Sequence, residues 1–404
     1  MKSPVLAPIL IFTATYLVLA LGRLPGLRVD RTGATIIGAS LMLAFNVLTV
    51  QEAWAAIDYD TVLLLFGMMI VVANLRLSGF FAVVSAWVVR HAHRPLPLLS
   101  GIVLVSGIFS AFFVNDTMCL VLTPLVVEIT GRLRRNPVPY LLAVAMAANI
   151  GSVATITGNP QNMMIGSFSR IPYARFAAAL SPIAGVGLVL TVAVIALVYW
   201  GEFRKEAALD TAGVRVRVNR ALLWKSLAVS IGMIVFFFAG WPVPKVAVIA
   251  GALLLVTRRI KPERVYREID WSLLVMFIGL FIVVAGLEKT PVPGDLFSAA
   301  SRYHLDRIGP MTAFTALLSN LVSNVPAVLV FKGFVPHLPD PARAWLILAM
   351  SSTLAGNLTV LGSVANLIVL QKAKRDVDIS FWEYARTGIP LTVLTLAAGA
   401  CMLR

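Results

Sequence analysis

Long apolar runs dominate this sequence, falling near 4–22, 33–49, 61–76, 79–90, 96–130, 138–168, 179–199, 221–239, 243–257, 271–287, 308–334, 343–371 and 387–403. A helix crosses a ~30 Å hydrocarbon layer in about 20 residues, and several runs fit one crossing. Runs 96–130 and 308–334 are too long for one crossing and are interrupted by Asn, Asp or Pro. Runs 138–168 and 343–371 are interrupted by Gly, Asn, Thr and Ser. The pattern predicts an all-α polytopic membrane protein with hairpins over 96–130 and 308–334 and broken helices over 138–168 and 343–371. Run 79–90 is short and is expected along the interface. Run 4–22 reads as a first membrane helix rather than a signal peptide, having only Lys2 before it and no convincing cleavage site.

The two halves repeat. Segment 57–75 (IDYDTVLLLFGMMIVVANL) aligns without gaps on 269–287 (IDWSLLVMFIGLFIVVAGL), with eight of 19 positions identical, among them Asp58/Asp270 and Gly67/Gly279. Segment 110–121 falls on 319–330, placing Asn115 opposite Asn324 and Asp116 opposite Val325. Segment 145–162 falls on 349–366 and matches Thr155/Thr359, Gly158/Gly362 and Asn162/Asn366. The offsets are 212 (269 minus 57), 209 (319 minus 110) and 204 (349 minus 145), so the order is kept and only connections vary. Three ordered pairs with matching polar residues indicate an internal duplication. The expected organisation is repeat 1 over 1–200, a cytoplasmic linker over 201–220 and repeat 2 over 221–404.

Charge sets the relative orientation of the repeats. Residues 51–60 before the first repeated helix are acidic, whereas 258–268 before its partner carry Arg258, Arg259, Lys261, Arg264 and Arg267. Basic loops stay inside, so the two repeats are expected to be inverted. Hairpin 96–130, flanked by Arg90, Arg94, Arg132, Arg134 and Arg135, is then re-entrant from the inside, and 308–334 from the outside. The expected location is the inner (plasma) membrane, with both termini outside.

Composition agrees. The 404-residue chain is 59% hydrophobic and 13% charged, with mean hydropathy +0.88. A soluble domain has roughly 45–50% apolar and about 25% charged residues, so the lipid bilayer is the expected partner. The net charge of +15 sits in short loops, which the positive-inside rule explains without nucleic acid. Cys119 and Cys401 are far apart in apolar stretches, which excludes a disulfide framework or a CxxC metal site. No HExxH, Walker A, GxSxG or GxGD sequence occurs, so the chain is expected to be neither an enzyme nor, alone, an ATP-driven pump. No cofactor is expected beyond a proton or sodium as coupling ion.

Irregular backbone at membrane depth survives only in protein or beside a wet cavity, and here four interruptions occupy corresponding places. They are Asn115-Asp116-Thr117, the stretch with Thr155, Thr157, Gly158, Asn159 and Asn162, the tip with Ser323 and Asn324, and the stretch with Thr359, Gly362, Ser363 and Asn366. Broken helices leave N–H groups free at one end and C=O groups at the other, which attract anions and cations respectively. Asn, Ser and Thr complete such sites without a full buried charge. Pro160 and Pro326 are expected to begin half-helices. Asp116 is the carboxylate deep in an apolar segment and the candidate proton carrier, since desolvation favours a protonated carboxyl. Glu128 and Glu288 are expected to be solvated, and Cys119 to be a packing residue.

At these residues the chain resembles the ion transporter superfamily, which includes arsenite/antimonite permeases, D-type sodium/proton antiporters, citrate permeases and divalent-anion:sodium symporters. VNDTMCLVLTP and SNVPAVLV look like its hairpin tips, and TITGNPQN and TVLGSVAN like its helix breaks. NDTMCLVLTP with TGNPQN is most similar to the arsenite permease and D-type antiporter branch. Symporters of the superfamily carry Ser-Asn-Thr at both tips, whereas this chain has Val114-Asn115-Asp116 and Ser323-Asn324-Val325. The resemblance implies a proton-coupled permease for a small anion of the arsenite/antimonite type, working by alternating access. It implies a homodimer, and a separate ATPase subunit if the chain serves a primary pump. Sodium/proton antiport, sodium-coupled dicarboxylate symport and a channel are the competing readings.

Overall fold

The computed structural model describes residues 3–22, 27–91, 94–204, 218–257, 260–292, 294, 298 and 302–404. His93, Arg258, Arg259 and most of the expected linker (205–217) lie outside them. The first half comprises α1 (Ser3–Leu21), α2 (Arg31–Ala44), α3 (Val50–Ala56), α4 (Tyr59–Ser78), α5 (Phe80–His91), α6 (Pro95–Phe113), α7 (Asn115–Arg132), α8 (Pro137–Ser152), α9 (Pro160–Ser169), α10 (Tyr173–Val198) and α11 (Trp200–Phe203). The second comprises α12 (Arg220–Phe238), α13 (Val243–Leu255), α14 (Pro262–Tyr266), α15 (Trp271–Glu288), α16 (Ile308–Val322), α17 (Asn324–Lys332), α18 (Pro341–Ala355), α19 (Val364–Ala373) and α20 (Phe381–Met402). Among the described residues six helices (α4, α6, α10, α12, α15 and α20) are long and apolar enough to cross a membrane.

The repeated residues have local reasons. Asp58 caps α4 by accepting from Thr61 N (2.9 Å), and Asp270 caps α15 by accepting from Leu273 N (2.9 Å). A side-chain acceptor there satisfies one N–H that the helix leaves unpaired. Gly67 and Gly279 mark close crossings. A Cβ on Gly67 would lie 2.5 Å from the Ala247 backbone of α13, and one on Gly279 2.9 Å from the Thr35 backbone of α2. Thr35 and Ala247 are themselves 212 apart (247 minus 35), so the two crossings are equivalent. The α1–α2 pair therefore packs on α15 of the other half, and α12–α13 on α4.

Polar contacts show which helix ends lie together. At one end Arg76 near the end of α4 pairs with Glu268 just before α15 (2.5 Å), and Asn219 N donates to Ser78 O (3.1 Å). Arg135 before α8 lies 3.8 Å from Glu202 after α10. This end also carries Arg132 and Arg134 and is called the basic end. At the opposite end Lys289 after α15 reaches Glu52 of α3 (2.6 Å), and Arg343 in α18 donates to Leu403 O beyond α20 (3.0 Å). There too Ser167 in α9 donates to Asp58 (2.7 Å). Helices α4 and α15 thus run in opposite directions, as do α8–α9 and α18–α19. The repeats are inverted, each with a re-entrant hairpin and a discontinuous helix.

Each hairpin turns on a single residue. Val114 (φ 61) joins α6 to α7, and Ser323 (φ 77) joins α16 to α17. Asn115 is therefore the first helical residue rather than the turn, and α17 begins at Asn324, two residues before Pro326. Pro160 does begin α9, where its missing N–H costs nothing. The short run 79–90 forms α5, which packs along α6 and α7 with Phe81, Val88 and Val89 buried. Helix α8 is apolar all round and buried from Val138 to Ser152, as expected of a helix at the centre of a bundle.

Candidate functional site

Both discontinuous helices break in the same way. After α8, Thr155 is extended, Ile156–Gly158 make one 3₁₀ turn, and Asn159 is extended again before α9. After α18, Thr359, Val360–Gly362 and Ser363 repeat this before α19. The carbonyls freed by each break need donors, and one asparagine in each repeat supplies them. Asn162 Nδ2 donates to Ser152 O (3.0 Å) and Thr155 O (3.0 Å). Asn366 Nδ2 donates to the equivalent Gly356 O (2.7 Å) and Thr359 O (3.1 Å). Gly158 and Gly362 leave space for these carbonyls: a Cβ would lie 2.1 Å from Ser152 O or 2.9 Å from Gly356 O.

A buried amide network joins the two repeats. Asn149 of α8 accepts from Asn115 Nδ2 (3.0 Å) and Ser363 Oγ (3.0 Å), and donates to Asn357 Oδ1 (2.8 Å) and Asn366 Oδ1 (3.0 Å). Its repeat counterpart, Thr353, accepts at 3.2 Å from both Asn159 Nδ2 and Gln161 Nε2. Asn324, with its amide nitrogen toward the carbonyls of Ser352 and Gly362 (3.1 Å each), also accepts from Gln161 Nε2 (3.2 Å).

This network forms the floor of a cavity of about 190 Å³ that reaches the basic end. Its wall holds Asn115 and Asp116 of α7, Pro160 and Gln161 of α9, Ser323–Pro326 at the second tip, and Ser363 and Val364 at the start of α19. Leu19, Arg31, Thr32, Asp270, Ser272, Leu273 and Met276 complete it. The starts of four helices (α7, α9, α17 and α19) therefore converge on one space, each with the partial positive charge of a helix N-terminus; at three of them Asn115, Asn159 and Ser363 already accept one N–H (2.9, 2.8 and 3.2 Å).

Of the residues expected at the site, Asn115, Asp116, Ser323, Asn324 and Ser363 line the cavity. Thr155, Thr157, Gly158, Asn159, Asn162, Thr359, Gly362 and Asn366 stand outside its wall and build the two breaks. Thr155, for instance, donates to Ala111 O, and Thr157 meets Tyr173 Oη (2.9 Å). Thr117 is half-buried and outside the wall. Asp116 is half-buried rather than fully enclosed, because the start of α7 opens on the cavity. It lies within electrostatic reach of Arg31 and Asp270. Sequence reasoning missed Arg31, Gln161, Asp270 and Asn149 as site residues. Two of the four had a signal: Asn149 is an amide inside the otherwise apolar α8, and Asp270 is an aspartate kept in both repeats.

Glu128 pairs with Arg132 (2.6 Å) and Glu288 lies 3.4 Å from Lys332, all with partly exposed side chains. Cys119 is buried and unbridged.

The family model described as "Citrate transporter" matches residues 16–342. The silicon efflux transporter LSI3 of Oryza sativa subsp. japonica is 31% identical over 448 residues, covering 93% of this chain and 92% of that protein. The inner membrane protein YbiR of Escherichia coli K12 is 30% identical over 378 residues, with 93% and 95% covered. The putative transporter arsB of Dictyostelium discoideum is 23% identical, with 92% and 87% covered. Among solved structures, the YdaH transporter of Alcanivorax borkumensis superposes with a TM-score of 0.65 at 15% identity, over 100% of this chain and 97% of that one. That likeness concerns the fold.

Proposed function

The chain belongs to the citrate transporter family of membrane transporters, and from that premise we propose that it is a secondary transporter of a small oxyanion or oxyacid of the arsenite/antimonite type. We propose that it is proton-coupled through Asp116 and works by alternating access. The observation that carries this reading is the convergence of four helix starts on one cavity. Each start is equivalent to roughly half a positive charge, so together they offset the carboxylates of Asp116 and Asp270. An oxygen-rich solute is then held by N–H groups and amides with little buried charge of its own.

Cavity size favours a small solute. At about 190 Å³ the cavity falls below the ~300 Å³ at which sites for drug-sized ligands begin. A hydrated tricarboxylate would require the site to widen. The silicon efflux named for the rice relative also supports a small oxyacid.

Alternating access is supported by unequal ends. Asp58 and Ser167 join α4 to α9 away from the basic end (2.7 Å). Their counterparts are Asp270, which lines the cavity, and Gln371 (167 plus 204), near the far end of α19, and both are exposed. Helix α4 packs on α9, and the equivalent α15–α19 pair makes no comparable contact. Inverted repeats that exchange these two arrangements would open the cavity at the opposite end.

The test is flux into proteoliposomes holding only this chain, under an imposed pH gradient, with arsenite, germanic acid, sulfate, citrate and sodium as probes. Proton-driven movement of a small oxyacid is expected, and Asp116→Asn should abolish it while the protein still inserts. Retained pH-driven flux in that variant would remove the proton role, and sodium-dependent citrate uptake would place the chain among symporters instead.

A further inference from the structure

Two charges break the repeat symmetry, and both face the same cavity. The counterpart of Asp116 is Val325, and the counterpart of Arg31 is Val243 (31 plus 212). Arg31 opens α2 as Val243 opens α13, so the equivalence holds in the fold as well as in the alignment. Asp270, the other charged residue in the wall, keeps its counterpart Asp58 and is occupied in capping α15.

The state of the Arg31 side chain is unusual for an arginine near the end of a membrane helix. Such residues snorkel, placing the guanidinium in water. Here the side chain is half-buried, and its Nε is buried without a hydrogen-bond partner. Among the described residues no ion pair holds it, although Asp116 is within electrostatic reach. Among the described residues it is the one Lys or Arg in the cavity wall. A buried, unpaired N–H is costly unless something visits it.

Resting on the transport reading above, we propose that Arg31 is the residue that anchors the substrate, and that it selects solutes able to present two oxygens side by side. A guanidinium is a planar fork that binds paired oxygens through two parallel hydrogen bonds, which an ammonium cannot do. Arg31 stands on α2, which packs on α15, whereas the N–H groups that would hold the solute from the other side belong to the hairpin tips and helix breaks. The solute thus bridges two sets of elements, and its binding draws them together.

The experiment compares wild type, Arg31→Lys and Arg31→Gln in proteoliposomes, using whichever of arsenite, germanic acid and citrate the wild type moves. Arg31→Gln should raise KM roughly tenfold or more, the effect of losing charge-assisted hydrogen bonds. Arg31→Lys, which keeps charge and loses the fork, should fall in between. Alkylation of Arg31→Cys in a Cys401→Ser background by a membrane-impermeant maleimide should be slowed by the same probe, a readout that a merely structural role would not give. A KM for Arg31→Gln within twofold of wild type, or alkylation of Arg31→Cys that ignores the probe, overturns this assignment and leaves the transport reading standing. A wild-type chain that moves none of the probes overturns both.

Discussion

Replacing Ser167 with alanine removes one hydrogen bond, from its hydroxyl to Asp58 Oδ2 at 2.7 Å, and leaves the Asp58 cap on Thr61 N in place. A hydrogen bond to a charged acceptor contributes about 1.5–3 kcal/mol. Both residues are half-buried, so water recovers part of this and ~1 kcal/mol is the working figure. In the proposed alternating-access cycle this bond belongs to the state closed at the end opposite the basic end, so its loss should favour the mirror state about fivefold. Leu64 provides the reporter: it is 2% exposed and is the counterpart of Met276 (276 minus 212), which lines the open cavity. A cysteine at Leu64, in a Cys401→Ser background, should react with an impermeant maleimide only when the opposite end opens. Its labelling rate should rise about fivefold in Ser167→Ala. Gln371→Ala, which would weaken the mirror contact instead, should lower the rate. Equal rates in the parent and Ser167→Ala would refute the idea that this contact holds one end shut.

Further expectations concern stability, read as thermal midpoints in detergent. Val114→Gly trades relief of a β-branched residue at φ 61, ~1–3 kcal/mol, against loss of a side chain only 2% exposed, ~1.5–3 kcal/mol, so the midpoint should change little; a loss as large as ~3 kcal/mol, as for an unstrained buried valine, would contradict this. Gly67→Val should destabilise by ~1–3 kcal/mol through overpacking against Ala247, while Gly185→Val, with no atom within 4 Å, should be close to neutral. Asn149→Ala leaves the amides of Asn115 and Asn357 and the hydroxyl of Ser363 short of partners, and should cost at least about 2 kcal/mol. Glu52 lies outside the membrane-spanning helices, and its hydrogen bond to the Lys289 ammonium holds its carboxyl at about 2. Its contribution is therefore present in full above about pH 4.3 and is lost as the pH falls through about 2, so the midpoint difference between wild type and Glu52→Gln should shrink only in strong acid.

The sequence carried the architecture because inverted duplication leaves matched residues at matched structural duties. Asp58 and Asp270 are matched because both cap the repeated helix, and Gly67 and Gly279 because both admit a neighbouring backbone. Asn162 and Asn366 are matched because each spans its own break. The same logic explains why the breaks were read as binding elements: the polar residues that support a break look, in sequence, like those that face a solute. What separates Ser363 from Asn366, both at the second break, is which side of the break the side chain takes, and no linear spacing records that. Arg31 escaped notice because it stands about 80 residues before the hairpin tip and reaches the cavity only through the packing of α2 on α15.

The crossed packing of the helix pairs has a consequence for biosynthesis. When the first half leaves the ribosome, α4 has no α13 against which to seat Gly67, and α2 still lacks α15. Neither inserted half can complete its own bundle, and lipid must fill the gaps until the second arrives. Assembly is therefore expected to be a late, concerted docking of two incomplete halves. Co-expression of the two as separate polypeptides should restore a complex that neither forms alone.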